Sequence, residues 1–204
     1  LGFSAGVPIM LIFSSLSLWL SEAGVSRDMV TMFSWAALAY SFKFVWAPLI
    51  DSLPLPVLGR LGWRRSWLLL SQAAVASAIV WMAMVDPAQP GALAMMAAAA
   101  VLLGFSSATQ DVVIDAYRIE AAGDDTAMQS VMSATYNAGY RVGMIVSGAG
   151  ALYAAETLGS KSGHYVYAAW QQTYFLMAAV MAVGMATVLL MREPEVAARA
   201  DKRR

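Results

Sequence analysis

The 204-residue sequence contains no cysteine and a single histidine, His164. The first absence excludes thiol nucleophiles, thiolate metal ligands and disulfides, and leaves the redox compartment undecided. The second excludes a multi-histidine metal centre, so no metal site is expected. Charge is scarce as well: Asp, Glu, Lys and Arg make up 13% of the chain, against about 25% in soluble domains. Thirteen basic residues balance 13 acidic ones, so no overall field favours nucleic acid or an acidic partner. The opening L-G-F-S-A-G-V-P has neither a starting methionine nor a basic segment ahead of its apolar run. It is therefore not an intact signal peptide, and reads as a chain already inside its first helix.

What the sequence does have is apolar length. Hydrophobic residues make up 60% of it, with 14 Met and 7 Trp, the composition of a polytopic membrane protein. About 20 apolar residues cross a ~30 Å hydrocarbon layer as a helix. Stretches of that kind fall at residues 1–20, 29–50, 66–85, 92–114, 127–152 and 166–191. The expected fold class is thus an all-α membrane protein with six transmembrane helices. D-P-A-Q-P-G, from Asp86 to Gly91, is a turn by its prolines and glycine. Residues 192–204 form a polar tail or the start of a linker. Arg60, Arg64, Arg65, Arg118 and the basic tail lie on one side of the spans; only Arg27 and Lys161 lie on the other. By the positive-inside rule both ends face the cytoplasm.

The stretch around which the rest is arranged is Gly104 to Glu120, G-F-S-S-A-T-Q-D-V-V-I-D-A-Y-R-I-E. As a helix it aligns Gly104, Ser107 or Ala108, Asp111, Asp115 and Arg118 on one face. A carboxylate near the bilayer centre costs roughly 2.5–3.5 kcal/mol even on the least severe scale, so Asp111 must be protonated, paired or beside a wet cavity. Asp115 and Arg118, nearer the water, either share that role or only tie down the helix mouth. Lys43, two turns inside Asp51 in F-K-F-V-W-A-P-L-I-D, either snorkels to the interface or faces the cavity as a counter-charge.

Other motifs concern packing and the basic loop. Gly2, Gly6 and Pro8 sit close together in the first span, and Gly139, Gly143 and Ser147 form a small-xxx-small face in the fifth. Arg141 points away from that face and needs a carboxylate, for which Asp111 and Asp115 are the expected partners. In D-S-L-P-L-P-V-L-G-R-L-G-W-R-R-S-W the arginines suit pairing with Asp51 or with a helix C-terminus. The sixth span, polar only at Gln171, Gln172 and Thr173, is expected to face lipid, and His164 to be an ordinary loop residue. L-G-F-S-A at Leu1 recurs as L-G-F-S-S at Leu103, but at a different depth in its helix, so it carries little weight as a repeat.

S-S-A-T-Q-D-V-V-I-D-A-Y-R, F-K-F-V-W-A-P-L-I-D with its G-R and R-R loop, and G-Y-R-V-G-M-I-V-S-G resemble, in order, the AmpG-type muropeptide permeases of the major facilitator superfamily. The related acetyl-CoA transporters share parts of this pattern. The resemblance implies the amino-terminal six-helix half of a carrier, lacking its carboxy-terminal half. Such a carrier brings anhydro-muropeptides, small glycopeptides, from periplasm to cytoplasm across the bacterial inner membrane for cell-wall recycling, with the proton gradient as coupling ion and no cofactor. Carried over by motif, Asp111, Gln110 and Arg141 form a charged site with Asp115, Lys43 and Tyr40 near it. Asp51, Arg60, Arg64, Arg65 and Arg118 form a cytoplasmic gate. The sequence departs from the superfamily loop at Ser52, where Arg is usual, and in R-L-G-W-R-R, which is not a compact basic triplet.

On this reading Asp111 alternates between a protonated state and a pair with Arg141, while Tyr136, Tyr140 and Trp35 offer flat surfaces to sugar rings. A different class, an intramembrane aspartyl protease, needs its acids on separate helices within reach of one water. Asp111 and Asp115 share one helix and lack that setting. A non-transporting scaffold would have to keep a buried Asp and Arg for packing alone.

Overall fold

Apolar residues set where the long helices run, and glycine and proline set where they break. The computed structural model describes residues 1–33, 35, 38–53, 55 and 61–194. Among these the regular structure is helical, apart from one isolated bridge between Lys161 and His164. In chain order the helices are α1 (Gly2–Glu22), α2 (Arg27–Phe33), α3 (Leu38–Phe42), α4 (Ala47–Ser52), α5 (Trp63–Ala83), α6 (Ala92–Ala122), α7 (residues 126–157) and α8 (Tyr167–Leu190). Among the described residues α1, α5, α6 and α8 are the helices long and apolar enough to cross a membrane.

Three departures from the expected spans have local causes. Residues 29–50 are not one straight helix: Pro48 sits in the first turn of α4, with a 3-10 turn over Lys43–Val45 ahead of it. Proline has no N–H to give and its ring crowds the carbonyl four residues back, so the helix breaks on the side that precedes it. The stretch drawn at 92–114 continues as helix to Ala122 and stops at Gly123, whose φ is +55°. Falling hydropathy marked the edge of the apolar run, whereas the backbone stops only where glycine permits the turn. The segment 127–152 is helical inside α7, but Gln129, Asn137 and Arg141 dilute its apolar character.

Helix packing in lipid depends on close fit, since lipid is as apolar as the side chains it would replace. α1 and α7 make one of the most extensive contacts of the bundle, and glycines create it. A Cβ on Gly6 would overlap the carbonyl of Tyr140, and one on Gly143 the carbonyl of Phe3. Both helices also widen into a π turn, at Leu11–Ser15 and Val146–Gly150, where Ser15 Oγ donates to the Ser147 carbonyl at 2.9 Å. α8 packs on α5, buries Trp170, Tyr174, Met181, Gly184 and Val188, and exposes Leu176, Val183 and Leu190. Only part of its circumference is therefore available to lipid. At one end Trp19, fully buried, stacks on Trp170 at 5.8 Å and tilts against Tyr174 at 4.7 Å. At the other end a smaller core of Ala5, Ile50, Leu68, Val113, Ile114 and Val188 lies near the start of α5 and the end of α8.

Candidate functional site

Asp111 lies about three turns before the end of α6 and is 9% exposed. Its Oδ1 accepts a hydrogen bond from the Tyr136 hydroxyl of α7 at 3.4 Å, well beyond the usual 2.7–2.8 Å of such bonds. One turn on, Asp115 lies 3.8 Å from Lys43 Nζ and accepts from Arg118 Nη1 at 3.3 Å. Arg118 also donates to Ser133 Oγ at 2.5 Å, and its guanidinium stands over the Tyr136 ring at 4.7 Å. Lys43, Asp115, Arg118, Tyr136 and Asp111 thus form a continuous chain of contacts linking the broken second segment, α6 and α7. Tyr40 joins at the edge, its hydroxyl bonded to Ser107 Oγ at 2.5 Å.

Behind Asp111 the site is closed and polar. Gln110 and Gln72, both fully buried, point their Nε2 atoms at Ser4 Oγ, each at 3.3 Å. The one hydroxyl proton of Ser4 goes to the Leu1 carbonyl at 2.8 Å. Oε1 of each glutamine has no partner among the described residues. Gly184 makes room for this group, because a Cβ there would collide with the Ser4 side chain. Sequence reasoning missed Gln72. The available signal was a lone amide inside an otherwise apolar span.

Arg141 requires a correction. It is exposed and makes no ion pair among the described residues, with Asp111 or with any other acid. The reason lies in its own helix. At about 100° per residue, turning Gly139 and Gly143 onto α1 turns Arg141, two residues from each, to the far side. Tyr136, not Arg141, reaches Asp111, and the nearest ammonium belongs to Lys43, which reaches inward to Asp115. Trp35, 67% exposed, does not join the contact chain, and Tyr140 meets it only through its ring, tilted against that of Tyr136 at 5.8 Å.

The basic end is built differently. Arg64 is buried and donates from Nη1 to Asp51 at 2.6 Å, and from Nε and Nη2 to Glu120 at 2.5–3.1 Å. Arg65 donates to the carbonyls of Val188 and Leu189 at 3.0 and 2.8 Å, closing the C-terminus of α8. In return, Glu193 beyond α8 accepts from the backbone N–H groups of Arg64 and Arg65 at 2.7 and 3.1 Å. It caps α5, whose own cap residue, Gly62, has no side chain to do so. Burial raises the Glu193 carboxyl above its ordinary value, and the two backbone donors oppose that rise. Trp63 Nε1 and Trp67 Nε1 donate to the carbonyls of Ile50 and Leu53, on either side of Asp51. Arg60 lies outside the described residues, as does the tail beyond residue 194. Glu120 and Glu193 were missed, since their partners are 56 and 129 positions away.

Comparison with known proteins agrees with this helical architecture. The family described as Major Facilitator Superfamily matches residues 1–204. A Rickettsia conorii protein that carries the name AmpG 4 is 38% identical over 195 residues, covering 96% of this chain and 44% of that protein. The anhydromuropeptide permease of Escherichia coli K12 is 36% identical over 194 residues, covering 95% of this chain and 36% of the permease. The chain therefore spans less than half the length of these curated relatives. With the family matched from end to end, the chain belongs to the major facilitator superfamily.

Proposed function

We propose that the chain is the amino-terminal six-helix half of a proton-coupled carrier that imports anhydro-muropeptides from the periplasm to the cytoplasm. It is a secondary active transporter, not an enzyme, and it sits in the bacterial inner membrane with both ends cytoplasmic. On this reading the apolar run at 29–50 and α7 are the second and fifth crossings, beside the four helices that are long and apolar enough to span among the described residues. Its partners are the second half of the carrier, the lipid bilayer and the small glycopeptide cargo. The name of the Escherichia coli relative, anhydromuropeptide permease, supports the cargo.

The observation that carries the reading is Asp111, a buried carboxyl on a membrane-grade helix whose only hydrogen bond among the described residues is the long one from Tyr136. Protonated, it is a neutral group that an apolar site tolerates. Ionised, it needs a cation, because an unpaired charge in such surroundings is strongly disfavoured. The adjacent cation, Lys43, is held by Asp115 at 3.8 Å, too far apart for a tight pair. A proton on Asp111 leaves Lys43 with Asp115. Loss of that proton makes the two carboxylates compete for one ammonium, and pulls the 3-10 turn that carries Lys43 along α6. Tyr136, bonded to Asp111 and stacked under Arg118, passes the change to α7. Arg141, exposed and unpaired among the described residues, is left to meet the carboxylates of the cargo.

The test is uptake of labelled anhydro-muropeptide by the full-length protein in energised vesicles. Asp111→Asn is expected to lose gradient-driven accumulation while keeping exchange of cargo across the membrane. Uptake by that variant with an unaltered pH dependence would overturn the proposal.

A further inference from the structure

At the end of the bundle opposite Arg64 and Arg65, α1 stops at Glu22, α7 ends near Thr157 and α8 begins at Tyr167. Between them lies a groove of about 500 Å³ with two unlike walls. Leu18 and Leu152 form the apolar one; Glu22, Glu156 and Lys161 form the other, with Trp170 at its base. On each helix the leucine precedes the acid by four residues, just over one turn, or about 6 Å along the axis. The apolar wall therefore lies just inside the charged rim, at the depth where hydrocarbon gives way to headgroups in any orientation that carries α1 across a bilayer.

The rim is built, not incidental. Glu22 Oε2 accepts from Ser160 Oγ at 2.5 Å and from the fully buried Trp170 Nε1 at 2.8 Å. Ser160 is itself 2% exposed and accepts from the backbone N–H of Val166 at 3.2 Å. Two donors from two elements thus fix the carboxylate and leave Glu22 Oε1 without a hydrogen bond among the described residues. Lys161 stands in a short hairpin whose backbone pairs with His164 at 3.0 and 2.8 Å, and its side chain is exposed. A matching ligand needs an N–H-bearing cation for Glu22 and Glu156, an anion for Lys161, and hydrocarbon to cover Leu18 and Leu152.

We propose that this groove is a binding site for a phospholipid whose headgroup carries both a primary ammonium and a phosphate, as in phosphatidylethanolamine. The ammonium donates to Glu22 Oε1 and Glu156, the phosphate meets Lys161, and the acyl chains lie on Leu18 and Leu152. Phosphatidylcholine has the same charges but no N–H to donate, and phosphatidylglycerol has no cation. A soluble amine would leave Leu18 uncovered, which is 39% exposed as it stands. The proposal depends on membrane insertion and is independent of the cargo.

The test is native mass spectrometry of the full-length protein extracted from nanodiscs of matched acyl chains. Retention of phosphatidylethanolamine is expected to exceed that of phosphatidylcholine by roughly tenfold, the scale of one hydrogen bond between charged groups. Glu22→Gln keeps an acceptor for Ser160 and Trp170 and should erase most of that preference. Glu156→Gln, at an exposed position, should lower it in part and decides the matter if the first variant fails to fold. Equal retention of the two lipids, an unchanged preference in Glu156→Gln, or preferred phosphatidylglycerol would overturn the site. Full displacement by free phosphoethanolamine would overturn the lipid assignment in favour of a soluble ligand.

Discussion

The two charged regions of this chain use the same residue types and differ in how tightly they are held. At the basic end, Arg64 forms a forked contact with Glu120 and a 2.6 Å bond to Asp51, while Arg65 and Glu193 close each other's helix ends. Around Asp111 the bonds made by the two carboxylates, Asp111 and Asp115, stretch to 3.3–3.8 Å, and two buried glutamine oxygens have no partner among the described residues. Short, shielded, bidentate bonds resist rearrangement. Long bonds and idle acceptors leave several arrangements close in energy. The comparison separates a tie that keeps the bundle together from a site poised to change its partners.

The largest test of that difference removes the tie. Arg64→Ala leaves Glu120 largely buried without a counter-charge, and should cost about 3 kcal/mol of stability, as for other broken buried pairs. Unfolding in detergent would measure it. A double-mutant cycle sharpens the point: coupling of Arg64 to Glu120, 20% exposed, should exceed coupling to Asp51, 54% exposed and screened by water. If Asp51 proves the stronger partner, the basic end is held by α4 and not by α6.

The glycine seam of α1 and α7 holds the helix that carries Tyr136, the partner of Asp111, and its disturbance should rank next. Gly143→Ala places a methyl against the backbone carbonyl of Phe3, which cannot swing aside as a side chain does. Overpacking of this kind costs about 1–3 kcal/mol. The same loss of thermal stability should follow Gly6→Ala, against the carbonyl of Tyr140. An indifferent Gly143→Ala would mean that the helices separate easily, and would remove the fixed frame that the Asp111 site needs.

Asp111→Asn should change stability by less than about 1 kcal/mol, and in the direction of greater stability, because it replaces a poorly paired buried carboxyl with a neutral group of the same shape. Measured beside Arg64→Ala, it contrasts a residue retained for holding with one retained for switching. A loss of stability equal to that of Arg64→Ala would erase the distinction.

The sequence made the helical class, the Asp86–Gly91 turn and the glycine face of α7 legible, since each depends on residues near one another in the chain. It also exposed Asp111 and Gln110 as costly polar residues in an apolar run. The partners were another matter. Helical spacing states which residues of one helix share a face, but not which neighbour that face meets, so Arg141 was matched to Asp111 while Tyr136 makes the contact. Gln72 and Ser4, 68 positions apart, converge on one point, and no local pattern announces such a meeting. Pro48 was visible throughout, but its effect on the run at 29–50 was subordinated to hydropathy, which is insensitive to backbone geometry.

The smallest effect concerns Glu193, where the tie itself carries a mismatch. Burial raises its carboxyl above the ordinary value despite two backbone donors. The sign follows from proton binding: across the interval between the unfolded value of 4.5 and the raised folded value, the folded protein holds more of the proton than the unfolded chain. Its contribution is therefore complete below the unfolded value and declines as pH rises through the folded one. Glu193→Gln, which keeps a carbonyl acceptor for the Arg64 N–H, should flatten the pH dependence of thermal unfolding over that interval and leave transport intact. Glu193→Ala should lose the cap as well, at about 1 kcal/mol. If both variants instead show the same pH slope as the parent, the cap is made by other groups, and the contrast between a tight end and a loose middle rests on Arg64 alone.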